Sequence, residues 1–550
     1  MEIGWLALSE LKNSKRPFVY LEKEEHQVGW ENEKKYYYFG VEEINDTASY
    51  CEVTGLEGCA IELYQIKSTE AHIGRGVTWG EIPQAPVESF YDILQPYVKG
   101  QQMAKNHQFF CLELSSPSAG QFTGEVEIWQ GEERVISLPL GFEVLGIELP
   151  SQSTFGLELW QYPFSVARYY GISPEDYFKE AHLTRITESL KIYAAAGGDT
   201  VVTTIVHDPW NHQTYDAYPS LITWQQTGDS FTFDFTWFDQ YVALNFALGI
   251  DKKLKCFSLL PWEDKINYLD EEGVLQERIY PVDSPEWRRV WGCFLKAFIQ
   301  HLEEKNWFDL TYIAIDERPA EILTSVMRLL KEYPNQKGQF LKVSCAMNYQ
   351  SFDQELLDQL ADLSIGQSHL GNQAAFRQLC QSRRAKGLYT SIYNCVGDYP
   401  AMFLYSHPLE SQWVIWNSAA FGADGFLRWA LDAWVENPLI NGNHWFWESG
   451  DSFLIYPGKM GAIASLRFQQ MEQGLIDLRK YHYLKEQDVA YVFELEQLLS
   501  DFRKPEGQVN AYGAQVPVSE AETNSIIQQM QKIQDLLQAG ARAYLKELEK

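Results

Sequence analysis

Positive charge is scarce in this chain. Its 550 residues carry 45 Lys and Arg against 75 Asp and Glu, a formal charge of −30, and a field of that sign repels nucleic-acid phosphates and anionic membrane surfaces. Neither is an expected partner. The eight cysteines, at 51, 59, 111, 256, 293, 345, 380 and 395, stand singly. No CxxC or short Cys/His spacing suggests a zinc site, so no metal or other cofactor is expected. Several of them sit in apolar runs, where a free thiol behaves as a small buried hydrophobe, and this reads as a reducing compartment. No apolar run approaches membrane-spanning length, and the first residues, MEIGWLALSELKNSKR, lack the basic start and long apolar stretch of a signal peptide. A cytoplasmic location is the expectation.

Aromatic residues are plentiful. They make up 14% of the chain, with 18 Trp and 31 Tyr. Most belong in cores, but flat rings also stack on the C–H faces of sugars while their N–H and O–H groups bond hydroxyls. The length implies about two to four domains.

Residues 1–148 read as a β-sandwich. Pro17–Leu21, Lys35–Val41, Cys59–Ile66 and Phe109–Leu114 are short aromatic or β-branched runs, and a hairpin around Gln130-Gly131 alternates Val126 and Ile128 with Glu125 and Glu127. Leu149-Pro150-Ser151 marks a boundary. Residues 149–440 then alternate strands with amphipathic helices, the pattern of parallel βα units. Eight strands are expected: Leu157–Trp160, Thr200–Val206, Lys253–Phe257, Tyr312–Ile315, Lys342–Ala346, Leu363–Ile365, Leu388–Tyr393 and Gly425–Trp429. Eight such units over about 280 residues fit a (β/α)8 TIM-type barrel. Residues 441–550 read as a C-terminal extension: an aromatic hairpin of Asn443–Trp447 and Phe453–Tyr456, a helix from Ser465, and a last helix with Ile526, Met530, Ile533 and Leu537 on one face. That face can pack on the protein itself or on a second subunit in a homo-oligomer.

The fourth barrel strand ends in two adjacent carboxylates, Asp316 and Glu317. Acids at that end of a barrel strand read as catalytic. The other strand ends carry His207 and Asp208, Trp262 and Glu263, Asn348 and Tyr349, His369, Tyr393 and Asn394, and Arg428 and Trp429, with Trp434 close behind. Their shared location makes them candidates for a substrate pocket. HDPWNH at 207–212 holds two His but no evident third metal ligand.

Neighbouring acids on an extended chain point apart and cannot flank one glycosidic bond, but they can reach different atoms of one sugar. In substrate-assisted hydrolysis the 2-acetamido oxygen attacks the anomeric carbon, one carboxylate holds the acetamido N–H, and the other is acid and then base.

The pattern resembles glycoside hydrolase family 123 and its bacterial relatives, which release β-linked N-acetylgalactosamine. The matching features are Glu88-Ser89-Phe90-Tyr91-Asp92 with Leu94 and Pro96, the Asp316-Glu317 pair, and Gly422-Ala423-Asp424-Gly425 with Arg428, Trp429 and Trp434. Gly450-Asp451, Tyr456-Pro457-Gly458 and Ser465-Leu466-Arg467 follow in order. The resemblance implies that Asp316 orients the acetamido group, that Glu317 is the general acid/base, and that the substrate is a small glycan or glycoside. Two other readings stay open. A conventional β-glycosidase would pair Glu317 with a partner such as Glu448, roughly 5 Å or 6.5–9.5 Å away. A non-catalytic carbohydrate-binding protein would keep the pocket and need neither acid.

Overall fold

A computed structural model of the chain describes residues 1–11, 20–21, 25–44, 48–76, 80, 82–347, 353–459 and 461–550. Pro17 to Val19 of the expected strand Pro17–Leu21 lie outside these residues; Tyr20 bridges Leu6.

Two sheets occupy residues 2–148. One orders Glu2–Trp5, Lys35–Ile44, Asn106–Ser115, Ala60–His72 and Val87–Pro96; the other orders Glu25–Glu31, Glu133–Glu148, Gly120–Gln130 and Ser49–Gly55. Alternation turns one face of each strand inward. Tyr37, Phe39, Phe110 and Leu112 of the first sheet thereby meet Val126, Ile128, Leu140 and Phe142 of the second in a common core.

The next eight-stranded sheet runs Gly156–Leu159, Thr200–Thr204, Lys253–Phe257, Thr311–Ile315, Lys342–Met347, Asp362–Gly366, Tyr389–Tyr393 and Gly425–Arg428 in sequence. From the second strand to the eighth, each pairs in parallel with its successor, and the first pairs with the eighth. The first and second meet only through the bridge of Leu157 with Gly198. Tyr193 seals that gap, its hydroxyl lying 2.9 Å from the Leu157 carbonyl and 3.1 Å from that of Thr200. The sheet is thus a nearly closed barrel.

Its strands are almost continuously buried, as a parallel sheet covered by helices requires. The lower interior holds charges: Lys255 reaches Glu158 at 2.5 Å and Asp362 at 3.2 Å, and Lys253 reaches Asp362 at 2.7 Å. Each buried ion is paired, which such burial demands.

Two features depart from the sequence reading. Chain to which the sequence reading assigns no strand, after the second and third barrel strands, forms a further four-stranded sheet, in the order Ser230–Asp234, Thr223–Thr227, Lys265–Leu269 and Leu275–Ile279. The expected hairpin of Asn443–Trp447 with Phe453–Tyr456 does not form. Residues 443–447 form no strand, with bends at 445–447, and Ile455–Tyr456 pairs with Ile463–Ala464. The helix Leu466–Glu486 follows, capped by the Ser465 side chain, then Tyr491–Ser500 and Glu520–Leu548. The apolar face of the last helix is buried within the chain, against Leu409–Ala420 and Leu466–Glu486. Among the described residues no helix is long and apolar enough to cross a membrane.

Candidate active site

Asp316 and Glu317 follow directly on the fourth strand, whose last residues Ile313 to Ile315 are buried. The helix Ala320–Leu330 begins after Pro319. The acids therefore occupy a short bridge between two fixed elements.

Each acid has its own partner. The Trp262 indole donates to Asp316 Oδ2 at 2.9 Å, and the Tyr393 hydroxyl donates to Glu317 Oε1. Burial pushes the Asp316 carboxyl above the usual carboxylate range, with the neighbouring Glu317 charge adding and the Trp262 bond opposing. Burial and the Glu317 charge push the Tyr393 phenol up as well, so the phenol keeps its proton and acts as the donor.

Arg318 completes this bridge. Its guanidinium lies over the Trp262 ring, 5.4 Å from the centroid, and donates to the Trp262 carbonyl at 3.1 Å and to Asp264 at 3.3 Å. The residue after the acids thus clamps the loop whose indole holds Asp316.

The acids face a cavity of about 260 Å³ walled by Trp160, Tyr162, Trp210, Trp262, Trp429 and Trp447. Trp160 and Trp210 stack with centroids 5.4 Å apart. Trp429 meets Tyr162 edge-on at 6.3 Å and Trp447 at 6.2 Å. The rings come from the ends of four strands and, for Trp447, from the segment beyond the barrel.

Of the expected site residues, Asp316, Glu317, Trp262, Tyr393 and Trp429 meet at this cavity, whereas Glu263 and His369 are not among its lining residues. Tyr393, a pocket candidate at its strand end, has its hydroxyl on Glu317. His207 and Asp208 lie in the loop after the second strand and are not among the lining side chains; Asp208 accepts from the His212 backbone at 3.0 Å. Asn394 and Arg428 are buried behind the wall, Arg428 donating to Asn394 Oδ1 at 3.1 Å and to Asp451 Oδ1 at 2.9 Å. Trp434 is fully buried, its indole on the Ile455 carbonyl at 2.8 Å. It packs against Tyr169 and Tyr170 rather than the cavity. Asn348 and Tyr349 lie outside the described residues. Glu448 does not line the cavity either; it sits buried, 3.4 Å from Arg75 and 3.3 Å from the Gly397 N–H.

The sequence reading did not assign Trp160, Tyr162, Gln213, Thr214, Cys395, Val396 or Trp447 to the site, yet all line it. Trp160 and Tyr162 follow the first barrel strand, so the strand-end rule could have found them. Trp447 offered no such signal.

Several motifs behind the family resemblance turn out to support this wall. Asp92 of the N-terminal sheets accepts from Arg467 at 3.0 Å and from the Tyr456 hydroxyl at 2.7 Å. Arg467 donates to the Gly450 carbonyl at 2.7 Å. The next residue, Asp451, pairs with Arg428 and accepts the Trp429 indole N–H at 3.2 Å. The N-terminal sheets and the C-terminal helix thereby fix one ring of the cavity.

The model of the glycoside hydrolase 123 catalytic domain matches residues 160–484. Among solved structures, the chain is similar to a family 123 glycoside hydrolase from Clostridium perfringens, described in connection with glycolipid glycan hydrolysis. The two are 30% identical with all of both chains covered, at a TM-score of 0.90. A family 39 glycoside hydrolase from Bacteroides cellulosilyticus WH2 aligns at 10% identity over 82% of this chain and 81% of that one, at a TM-score of 0.36. No curated protein matches. The domain match over more than half of the chain, with the end-to-end likeness to the Clostridium perfringens enzyme, shows that the chain belongs to glycoside hydrolase family 123.

Proposed function

We propose that this glycoside hydrolase releases a β-linked N-acetylhexosamine, with N-acetylgalactosamine the first candidate, by substrate-assisted retaining catalysis. One observation carries the reading: two adjacent carboxylates at one aromatic cavity are held by different partners, Asp316 by Trp262 and Glu317 by Tyr393. Separate partners suit separate tasks. The cavity, about 260 Å³, lies below the roughly 300–1,000 Å³ of drug-sized sites and suits one sugar ring.

In the first step the acetamido oxygen attacks the anomeric carbon while Glu317 protonates the glycosidic oxygen, and the bond to the leaving group breaks. Tyr393 occupies Glu317 Oε1, so Oε2 is left to carry this proton. Positive charge spreads over the N–C–O unit of the forming oxazoline, where ionised Asp316 accepts from the N–H and stabilises the transition state more than the bound sugar. Glu317, now ionised, then deprotonates the water that opens the oxazoline, and two inversions give net retention.

The engagement of Glu448 with Arg75, off the cavity wall, weighs against its use as the second carboxylate of a conventional pair. The description of the Clostridium perfringens relative makes glycolipid glycans a substrate class to test. The direct experiment is a panel of chromogenic β-hexosides with and without the 2-acetamido group, together with a thiazoline analogue of the intermediate. Hydrolysis confined to the acetamido sugars, and inhibition by the thiazoline, are expected. Comparable turnover of plain β-hexosides would overturn the proposal.

A further inference from the structure

If the cavity holds the sugar as proposed, few of its side chains are free to read the sugar's hydroxyls. The indole N–H groups of Trp160, Trp262, Trp429 and Trp447 end on Glu158, Asp316, Asp451 and the Gln213 carbonyl, at 2.9, 2.9, 3.2 and 2.8 Å. The hydroxyls of Tyr162, Thr214 and Tyr393 end on the Trp429 carbonyl, the Asp216 carbonyl and Glu317. The Cys395 thiol points to the Val396 carbonyl at 3.8 Å. The Trp210 indole N–H has no partner but is shut off from solvent. Ala346, Val396 and Leu427 offer only hydrocarbon.

Among the described lining residues, one polar side chain remains besides the two acids. Gln213, partly exposed, lines the cavity and its carboxamide makes no hydrogen bond among the described residues. Its backbone is nevertheless fixed, because the Trp447 indole donates to the Gln213 carbonyl. That bond ties the loop after the second strand to the segment beyond the barrel, so the carboxamide is presented from a fixed point. An amide offers two donors and an acceptor, a set that matches sugar hydroxyls, which both give and accept.

We infer that Gln213 is the specificity-determining residue that reads the ring hydroxyls. In the proposed pose Asp316 takes the acetamido group at C2 and Glu317 the glycosidic oxygen at C1. The groups left for another wall are those at C3, C4 and C6. C4 decides most, since its axial or equatorial hydroxyl is what separates the galacto from the gluco sugar. The rings hold the apolar faces of either epimer alike, so among the described lining residues discrimination falls to this carboxamide.

The test compares kcat/KM of aryl β-N-acetylgalactosaminide and β-N-acetylglucosaminide for the parent enzyme, Gln213→Met and Gln213→Ala. Gln213→Met keeps the length of the side chain and removes its hydrogen-bonding atoms, while the backbone bond to Trp447 survives in both variants. The expected result is a loss of about three- to tenfold on the preferred epimer, the scale of one neutral hydrogen bond. The other epimer should change less than about twofold, so that the ratio moves toward one. Asp316→Asn is run beside them. If Asp316→Asn is inactive while both Gln213 variants keep the parent's epimer ratio, Gln213 does not read the sugar and this inference fails alone. If Asp316→Asn hydrolyses the acetamido substrate normally, the assignment of the cavity fails and takes the inference with it.

Discussion

The hydroxyl of Tyr393, at the end of the seventh barrel strand, donates to Oε1 of Glu317, just past the end of the fourth. The bond crosses the mouth of the barrel and gives the two oxygens of one carboxylate different jobs. Oε1 is held by the protein, and in the proposed mechanism Oε2 is left for the leaving group.

Glu317→Gln should therefore lose about 10²- to 10⁴-fold in turnover on substrates with poor leaving groups, the range of general-acid assistance. Aryl glycosides with acidic leaving groups need less protonation and should lose much less. Tyr393→Phe removes only the donor, and its effect should follow the same leaving-group trend at smaller amplitude. Steady-state rates across a leaving-group series check both, and equal losses along the series would exclude the acid role.

Trp262→Phe keeps a ring for Arg318 to lie on and removes the N–H that reaches Asp316. A lost hydrogen bond to a charged group is worth about 1.5–3 kcal/mol, so kcat should fall by about 10- to 100-fold with little change in KM. The sign of the pH effect also follows. The indole bond favours the ionised carboxylate and opposes the rise that burial imposes, so its removal should move the acidic limb of the kcat profile to higher pH. A limb that stays in place would mean that this bond does not tune Asp316.

Stability should fall as pH rises from about 6.5 to 8. Burial raises Asp398 and Glu448 to about 7, and Asp432 and Asp477 to about 6. Carboxyls in an unfolded chain titrate near 4. Between those limits the folded state binds more protons than the unfolded one, so the free energy of unfolding declines with pH. The formal charge of −30 pushes the same way through self-repulsion. Glu33 has the opposite sign: against the cost of burial, Lys35 and Lys480 lower it to about 2, but its contribution is complete above about pH 4.5. Burial also lowers His72, His182, His207, His444 and His482, and their opposing contribution is complete once pH passes the ordinary histidine value of about 6.5. Tm measured from pH 6.5 to 8 should fall, and Glu448→Gln should flatten the slope. A Tm that climbs over this range would contradict the assignment.

The barrel was legible in the sequence because its strands are buried on both faces and read mostly as short apolar or β-branched runs, interrupted by the paired charges Lys253, Lys255 and Asp362. The strand-end rule that found Asp316, Glu317 and Trp429 also selected Arg428, which instead turns to Asp451 and serves the fold. A charged residue at a strand end can be matched inside, and the sequence does not say by whom. Trp447 was hidden for another reason: it reaches the cavity from beyond the barrel, where no periodicity marks a wall residue. The four-stranded sheet over residues 223–279 escaped because strands such as Leu275–Ile279 are mostly exposed and lack the alternation that a half-buried strand shows.

The central claim is that the nucleophile belongs to the substrate and that Asp316 and Glu317 serve it. Its most direct test is turnover on a series of aryl N-acyl-β-hexosaminides in which the acetyl methyl carries none, one, two or three fluorines. Fluorine drains electron density from the acetamido oxygen without touching the enzyme. Substrate-assisted attack predicts that kcat falls at each step, with at least a tenfold loss across the series, about 1.4 kcal/mol of barrier. A kcat that stays level from acetyl to trifluoroacetyl would mean that the enzyme supplies its own nucleophile.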